Sequence, residues 1–105
     1  MSELEFSGRV AIVTGSSAGI GEETARRLSA LGAMVVVNSA SSVEIGEKVS
    51  ASLPGKSMYV QADIADRVQG HALVDATIEQ YGRLDFLINN AGWTTSIDHS
   101  DLDGL

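Results

Sequence analysis

The sequence contains no cysteine, which removes disulfides and thiolate metal sites from consideration and leaves compartment to be judged by other signs. Proline occurs once, at Pro54, so there is neither a proline-rich linker nor a polyproline recognition tract. Basic residues are few: seven Lys and Arg, gathered into no stripe, stand against fourteen Asp and Glu and leave a net charge of −7. A nucleic-acid or anionic-membrane surface needs such a stripe, so neither partner is expected, and any anion bound here has to be held locally. No apolar run approaches the roughly 18 residues of a membrane span, and the N-terminus is acidic where a secretory or transit peptide is basic. Cytoplasmic residence is the resulting expectation. No repeat, low-complexity tract or linker marks a boundary, and a composition that is 44% hydrophobic and 20% charged reads as one folded domain over residues 1–105.

What the sequence does have is alternation. Short β-branched runs at residues 10–13, 34–37, 58–62 and 86–88 are separated by longer helical patterns, which is the signature of successive βαβ units and a parallel sheet covered on both faces. In the first helix Ile20, Thr24, Leu28 and Leu31 recur at helical spacing, and Gly32 stands where a left-handed C-cap belongs. Ser41 with Glu44 resembles a capping box for the second helix, whose apolar face is Ile45 and Val49 and whose end is Leu53-Pro54-Gly55. Asp66 is positioned to cap the third, Val74, Ile78 and Tyr81 form its face, and Gly82 closes it. Right-handed crossovers in this β-α-β-α-β-α-β order place the first strand beside the second on one side and the fourth on the other. A ligand then belongs at the switch point between the first and fourth strands.

Both informative loops leave the sheet at that crevice. After the first strand the chain reads Thr14-Gly15-Ser16-Ser17-Ala18-Gly19-Ile20-Gly21. Three glycines in that spacing let the backbone turn tightly, admit a pyrophosphate, and pack the new helix on the strand, with its first amides facing the phosphates. The alternative is a tight strand-to-helix turn with no ligand. After the fourth strand stands Asn89-Asn90-Ala91-Gly92, and Asp63-Ile64 follows the third.

These three motifs in register, over about residues 6–92, resemble the N-terminal portion of the short-chain dehydrogenase/reductase family. The resemblance implies a Rossmann-type doubly wound α/β sheet, cut after its fourth strand, and a nicotinamide dinucleotide cofactor. It implies that Gly15, Ser16, Ser17, Ala18, Gly19 and Ile20 line the pyrophosphate, with Gly21 beneath them. Asp63 would accept from the adenine amino group and Ile64 would flank the ring. Asn90, with Ala91 and Gly92, would meet the nicotinamide-side ribose, and Asn89 with Thr14 would tie the central strands. Read from the residues alone, Asp63 is also a good turn cap, and Asn89 serves a structural role as readily as a ligand contact.

Cofactor choice turns on the end of the second strand, where an acid would bind both ribose hydroxyls of NAD and repel the extra phosphate of NADP. Asn38, Ser39, Ala40 and Ser41 stand there, and Asn38 and Ser39 are expected among the cofactor-binding residues. No acid is present, which favours NADP, while Ala18 and Ala40 occupy places where NADP users of the family carry Arg or Lys, so NAD stays open. The family's proton donor is a Tyr followed four residues on by Lys; here Tyr59 is followed by Asp63 and Tyr81 by Asp85. No catalytic residue is therefore assigned. Tyr59 reads as a strand residue and Tyr81 as an apolar anchor.

Trp93 either walls a substrate pocket or covers the sheet end, and His99-x-Asp101-x-Asp103-Gly104 fails as a calcium loop because its first ligand would be His. A complete family member continues well past Leu105, transfers hydride between nicotinamide and a carbonyl or alcohol substrate, and forms homo-oligomers. The 105 residues alone are accordingly expected to bind cofactor without turning it over, and to self-associate through the apolar edge at 86–88. The competing reading, of a different class, is a non-catalytic nucleotide-binding or interaction module.

Overall fold

The structure is a computed structural model that describes residues 4–90. Its elements are β1 (Val10–Thr14), α1 (Gly19–Ala30), β2 (Met34–Ser39), α2 (Val43–Ser52), β3 (Ser57–Gln61), α3 (Arg67–Tyr81) and β4 (Phe86–Asn89). The four strands form one parallel sheet in the order β3-β2-β1-β4. The expected α/β arrangement and strand order are therefore found. The chain winds outward through β2 and β3, then crosses back to lay β4 on the free side of β1, so the switch point lies between β1 and β4.

β1 is buried along its whole length and β2 along all but its first residue, as expected of parallel strands covered on both faces. Alternate side chains feed two cores. Val13, Val35 and Val37 meet Ala25 of α1 and Val49 and Leu53 of and after α2; Ile12 and Val36 meet Leu73 of α3 and Ala62. Thus α1 and α2 cover one face and α3 the other.

The helix ends follow the sequence closely. Gly32, at φ 101°, lies just past α1, and Gly82, at φ 78°, ends α3. Asp66 caps α3, its Oδ1 accepting from the amides of Val68 at 2.9 Å and Gln69 at 3.4 Å. Bonds from the side chain and backbone of Gln69, with that from Val68, hold its carboxyl below the usual range. The Ser41–Glu44 capping box is not formed: the N-cap of α2 is Ser42, and its side chain makes no cap bond.

Leu28, Val49 and Val74 meet the cores as expected, but other residues of the expected helix faces do not. Ile20 is 78% exposed, Ile45 54% and Ile78 43%, whereas the residues pressed against the sheet are Gly21, Ala25 and Ser29 in α1, Gly46, Val49 and Ser50 in α2, and Leu73 and Thr77 in α3. Close packing on a valine-rich sheet selects small residues at the contact, and the large apolar ones next to them turn outward. At Gly46 a Cβ would collide with the ring of Tyr59. Tyr81 does anchor the second core as expected, and burial raises its hydroxyl pKa.

At the amino-terminal edge of the sheet, β1 and β4 are clamped by Asp85. Its Oδ2 accepts from the Val10 amide at 2.8 Å and from Arg83 Nε at 2.9 Å, and its Oδ1 accepts from Arg83 Nη2 at 2.8 Å and Arg9 Nη1 at 3.4 Å. Arg83 above all holds this carboxyl down at about 2, from a usual 3.8. Because the folded value lies below the unfolded one, the stabilisation is complete above about pH 4 and is lost as pH falls toward 2. Asp85→Asn is expected to lower stability at pH 7 by about 1–2 kcal/mol, most of it from the hydrogen bonds to Val10 and Arg83. Urea titrations of both forms check this, and the gap between them should close progressively between pH 4 and pH 2.

Candidate functional site

At the opposite edge of the sheet, where the strands end, the loop after β1 has a conformation written by its glycines. Gly15 and Gly19 have φ of 59° and 62°, in the left-handed region where a Cβ is penalised. Gly21 serves differently: a Cβ there would collide with the Gly15 carbonyl oxygen. The first turn of α1 can press against the loop that precedes it only because position 21 lacks a side chain.

The consequence is a bare helix N-terminus. The N-cap is Ala18, which has no side-chain oxygen to offer the first amides of α1, and it makes no side-chain cap bond. α3 satisfies the equivalent groups with Asp66. Ala18, Gly19 and Ile20 are exposed and Ser17 is partly so, which leaves the outer side of the loop open. Unpaired amides and the positive end of a helix dipole together favour an anion at such a place.

Ser16 has a different position from its neighbours. It is fully buried; its hydroxyl donates to the Val13 carbonyl at 2.6 Å and accepts from the Asn38 amide at 2.9 Å, and its own amide donates to the Asn38 carbonyl at 2.8 Å. It holds the loop from behind. Asn38 and Ser39, the strand-end pair singled out in the sequence, are likewise turned inward. Asn38 Nδ2 donates to the carbonyls of Val60 at 3.0 Å and Ala62 at 3.1 Å, and the Ser39 hydroxyl is paired with Tyr59 Oη at 2.5 Å. The exposed residues after β2 are Ala40, Ser41 and Ser42, with Gln61 Nε2 donating to the Ala40 carbonyl at 2.5 Å. Tyr59, a strand residue as expected, thus braces the end of β2.

On the β4 side, Thr14 Oγ1 donates to Asn89 Oδ1 at 2.9 Å and accepts from the Asn90 amide at 2.9 Å. That joins the two strands that flank the switch point. Asp63 is exposed at the end of β3; its Oδ1 accepts from the Ala65 amide at 3.0 Å, a turn-capping bond, and its own amide donates to Gln69 Oε1 at 2.8 Å. Ile64 beside it is partly buried against the second core. The loop, the end of β2, Asp63 and Asn90 therefore all stand at one edge of the sheet. Ala91, Gly92, Trp93 and the His99–Asp103 stretch lie outside the described residues.

The hydroxyl and amide bonds behind the loop were not read from the sequence, although a polar Asn38 at the end of a buried valine run carries the signal: such a group has to find partners. The steric role of Gly21 is testable against Gly70, which lies within α3 and whose added Cβ would meet only the Ile64 carbonyl, at an ordinary 3.8 Å. Helix propensity alone favours both Gly→Ala changes by about 1 kcal/mol. Thermal melts should show Gly70→Ala stabilising by roughly 0.5–1 kcal/mol and Gly21→Ala destabilising by about 1–3 kcal/mol, the sign reversed by overpacking.

Comparison with known proteins matches this geometry to one family. A family model described as short chain dehydrogenase matches residues 9–104. The chain is 57% identical over 93 residues to the protein named "Granaticin polyketide synthase putative ketoacyl reductase 2" of Streptomyces violaceoruber, covering 89% of this chain and 37% of that one. It is 42% identical over 90 residues to the meso-2,3-butanediol dehydrogenase of Serratia marcescens, covering 85% and 36%. Among solved structures, 7α-hydroxysteroid dehydrogenase in complex with NADH and 7-oxo glycochenodeoxycholic acid superposes with a TM-score of 0.81 at 30% identity, over 96% of this chain and 42% of that one. The chain thus spans under half the length of the relatives it matches. With a family model that matches residues 9–104, this chain belongs to the short-chain dehydrogenase family.

Proposed function

We propose that residues 1–105 form one partial domain, the cofactor-binding portion of an NAD(P)-dependent oxidoreductase that, at full length, moves hydride between a nicotinamide and a carbonyl or alcohol carbon of a small molecule. The observation that carries this reading is the uncapped first turn of α1 at the switch point, with its amides unclaimed by any side chain and Ala18, Gly19 and Ile20 exposed beside them. A diphosphate is the group that such a turn accommodates. The names of the relatives, reductases and dehydrogenases, support the reaction class.

In this reading Gly15, Ser17, Ala18, Gly19 and Ile20 form the diphosphate wall, and Ser16 and Gly21 fix the loop from behind. The exposed Ile20 side chain gives the wall an apolar surface. Asp63 accepts from the adenine amino group with the carboxylate that also caps its turn, and Ile64 lies beside the ring. Asn90, Ala91 and Gly92 take the nicotinamide-side ribose, while Thr14 and Asn89 hold that segment in line. The nicotinamide supplies the hydride chemistry when bound. The end of β2 carries no carboxylate in residues 38–42, so nothing there repels a 2′-phosphate, and NADP is favoured over NAD.

Proton transfer is not assigned to these residues. Tyr59 is engaged with Ser39, Tyr81 is packed in the second core, and neither is followed at four residues by a lysine. The 105 residues alone are proposed to bind without turnover, and the complete enzyme to act in the cytoplasm as a homo-oligomer. Isothermal titration with NADPH and NADH is expected to give saturable binding, tighter for NADPH, while ketone-dependent NADPH oxidation by the 105-residue chain stays at the blank rate. Failure of both dinucleotides to bind would remove the proposal.

A further inference from the structure

Asn38 is 1% exposed and sits where three segments end. Its backbone exchanges two hydrogen bonds with Ser16, amide to hydroxyl at 2.9 Å and carbonyl to amide at 2.8 Å. Its side-chain amide gives both protons to β3 and the residue after it, at the carbonyls of Val60 and Ala62. Ala62 directly precedes Asp63. Strand alternation places Asn38 on the face of Val36, under α3, whereas Ser39 takes the other face with Tyr59. The side chain therefore points along the sheet toward β3 and not out of its edge.

We infer that Asn38 is a positioning residue: it touches no part of the dinucleotide and instead fixes the distance between the diphosphate loop and Asp63. The inference rests on the cofactor reading above. A dinucleotide engages the loop with one part and the end of β3 with another, so its affinity depends on both being presented at the right separation; a ligand that uses the loop alone does not feel that separation. The tie needs a side chain with two donors and no net charge. Leucine has the same branching but is bulkier, and it leaves the Val60 and Ala62 carbonyls without their partner, while aspartate would face two carbonyl oxygens with a carboxylate.

The test compares ligands that do and do not span the tie. NADPH, ADP and inorganic pyrophosphate are titrated into the whole protein and into Asn38→Leu, at a temperature where far-UV circular dichroism shows both folded. Asn38→Leu is expected to weaken NADPH and ADP by about tenfold or more and to leave pyrophosphate within about twofold. Ser16→Ala, a smaller change that removes the hydroxyl acceptor of the Asn38 amide, is expected to give the same ranking by about threefold, and it carries the test alone if the leucine variant does not fold. Unchanged NADPH and ADP affinity in folded variants, with only the melting temperature lowered, would overturn the inference. So would an equal loss for all three ligands, which would mean that the loop itself had collapsed. A wild-type protein that binds pyrophosphate but neither NADPH nor ADP would sink the cofactor reading first, and this inference with it.

Discussion

The contact between Gly21 and the Gly15 carbonyl is the constraint from which the ligand edge of the molecule follows. With no side chain at 21, the first turn of α1 closes on the loop that leads into it. Two left-handed glycines then complete a reversal that L-residues with a Cβ resist. That reversal sets Ser16 against β2, where its hydroxyl and amide meet Asn38, and leaves Ala18, Gly19 and Ile20 exposed. A larger residue at 21 would lift the helix off the loop, and the same displacement would pull Ser16 from Asn38.

The sheet beneath the loop is built for close approach throughout. β1 and the middle of β2 are rich in β-branched residues and buried on both faces, and their helices dock largely with glycine, alanine, serine and threonine, beside Val49 and Leu73. The polar members of that set are satisfied locally. Thr77 donates to the Leu73 carbonyl one turn back at 2.9 Å, and Ser29 accepts from the Gly55 amide at 2.9 Å. No buried side-chain nitrogen or oxygen among the described residues lacks a partner, which is what permits so many small polar groups in a core of this size.

This pattern explains what was legible in the sequence and what was not. The strands, their order, and the caps at Gly32, Asp66 and Gly82 were readable, because each rests on a local rule of backbone geometry. Part of each helix face is out of phase with the pattern: Gly21 and Ala25 are buried in place of Ile20 and Thr24, Gly46 in place of Ile45 and Thr77 in place of Ile78, whereas Leu28, Val49, Val74 and Tyr81 do meet the cores. Hydrophobic periodicity counts large apolar side chains, but here steric fit to the valine sheet decides the contact. At the site, the glycine loop is legible in motif spacing, whereas the Thr14–Asn89 tie is implied by the family resemblance and is present in the structure. The inward turn of Asn38 and Ser39 is not legible in the sequence, since it depends on Val60, Ala62 and Tyr59 arriving from β3, a partner that no local pattern names.

The two edges of the sheet are joined by different chemistry. The floor is clamped by the charges of Asp85, Arg83 and Arg9, whereas the rim is laced by Thr14, Ser16, Asn38 and Asn89, through hydroxyls and amides alone. A rim without ionic links is indifferent to the salt content of its surroundings. In a chain with a net charge of −7, the diphosphate proposed for the loop would meet hydroxyl and amide dipoles there, with the Asp63 carboxylate left to the end of β3.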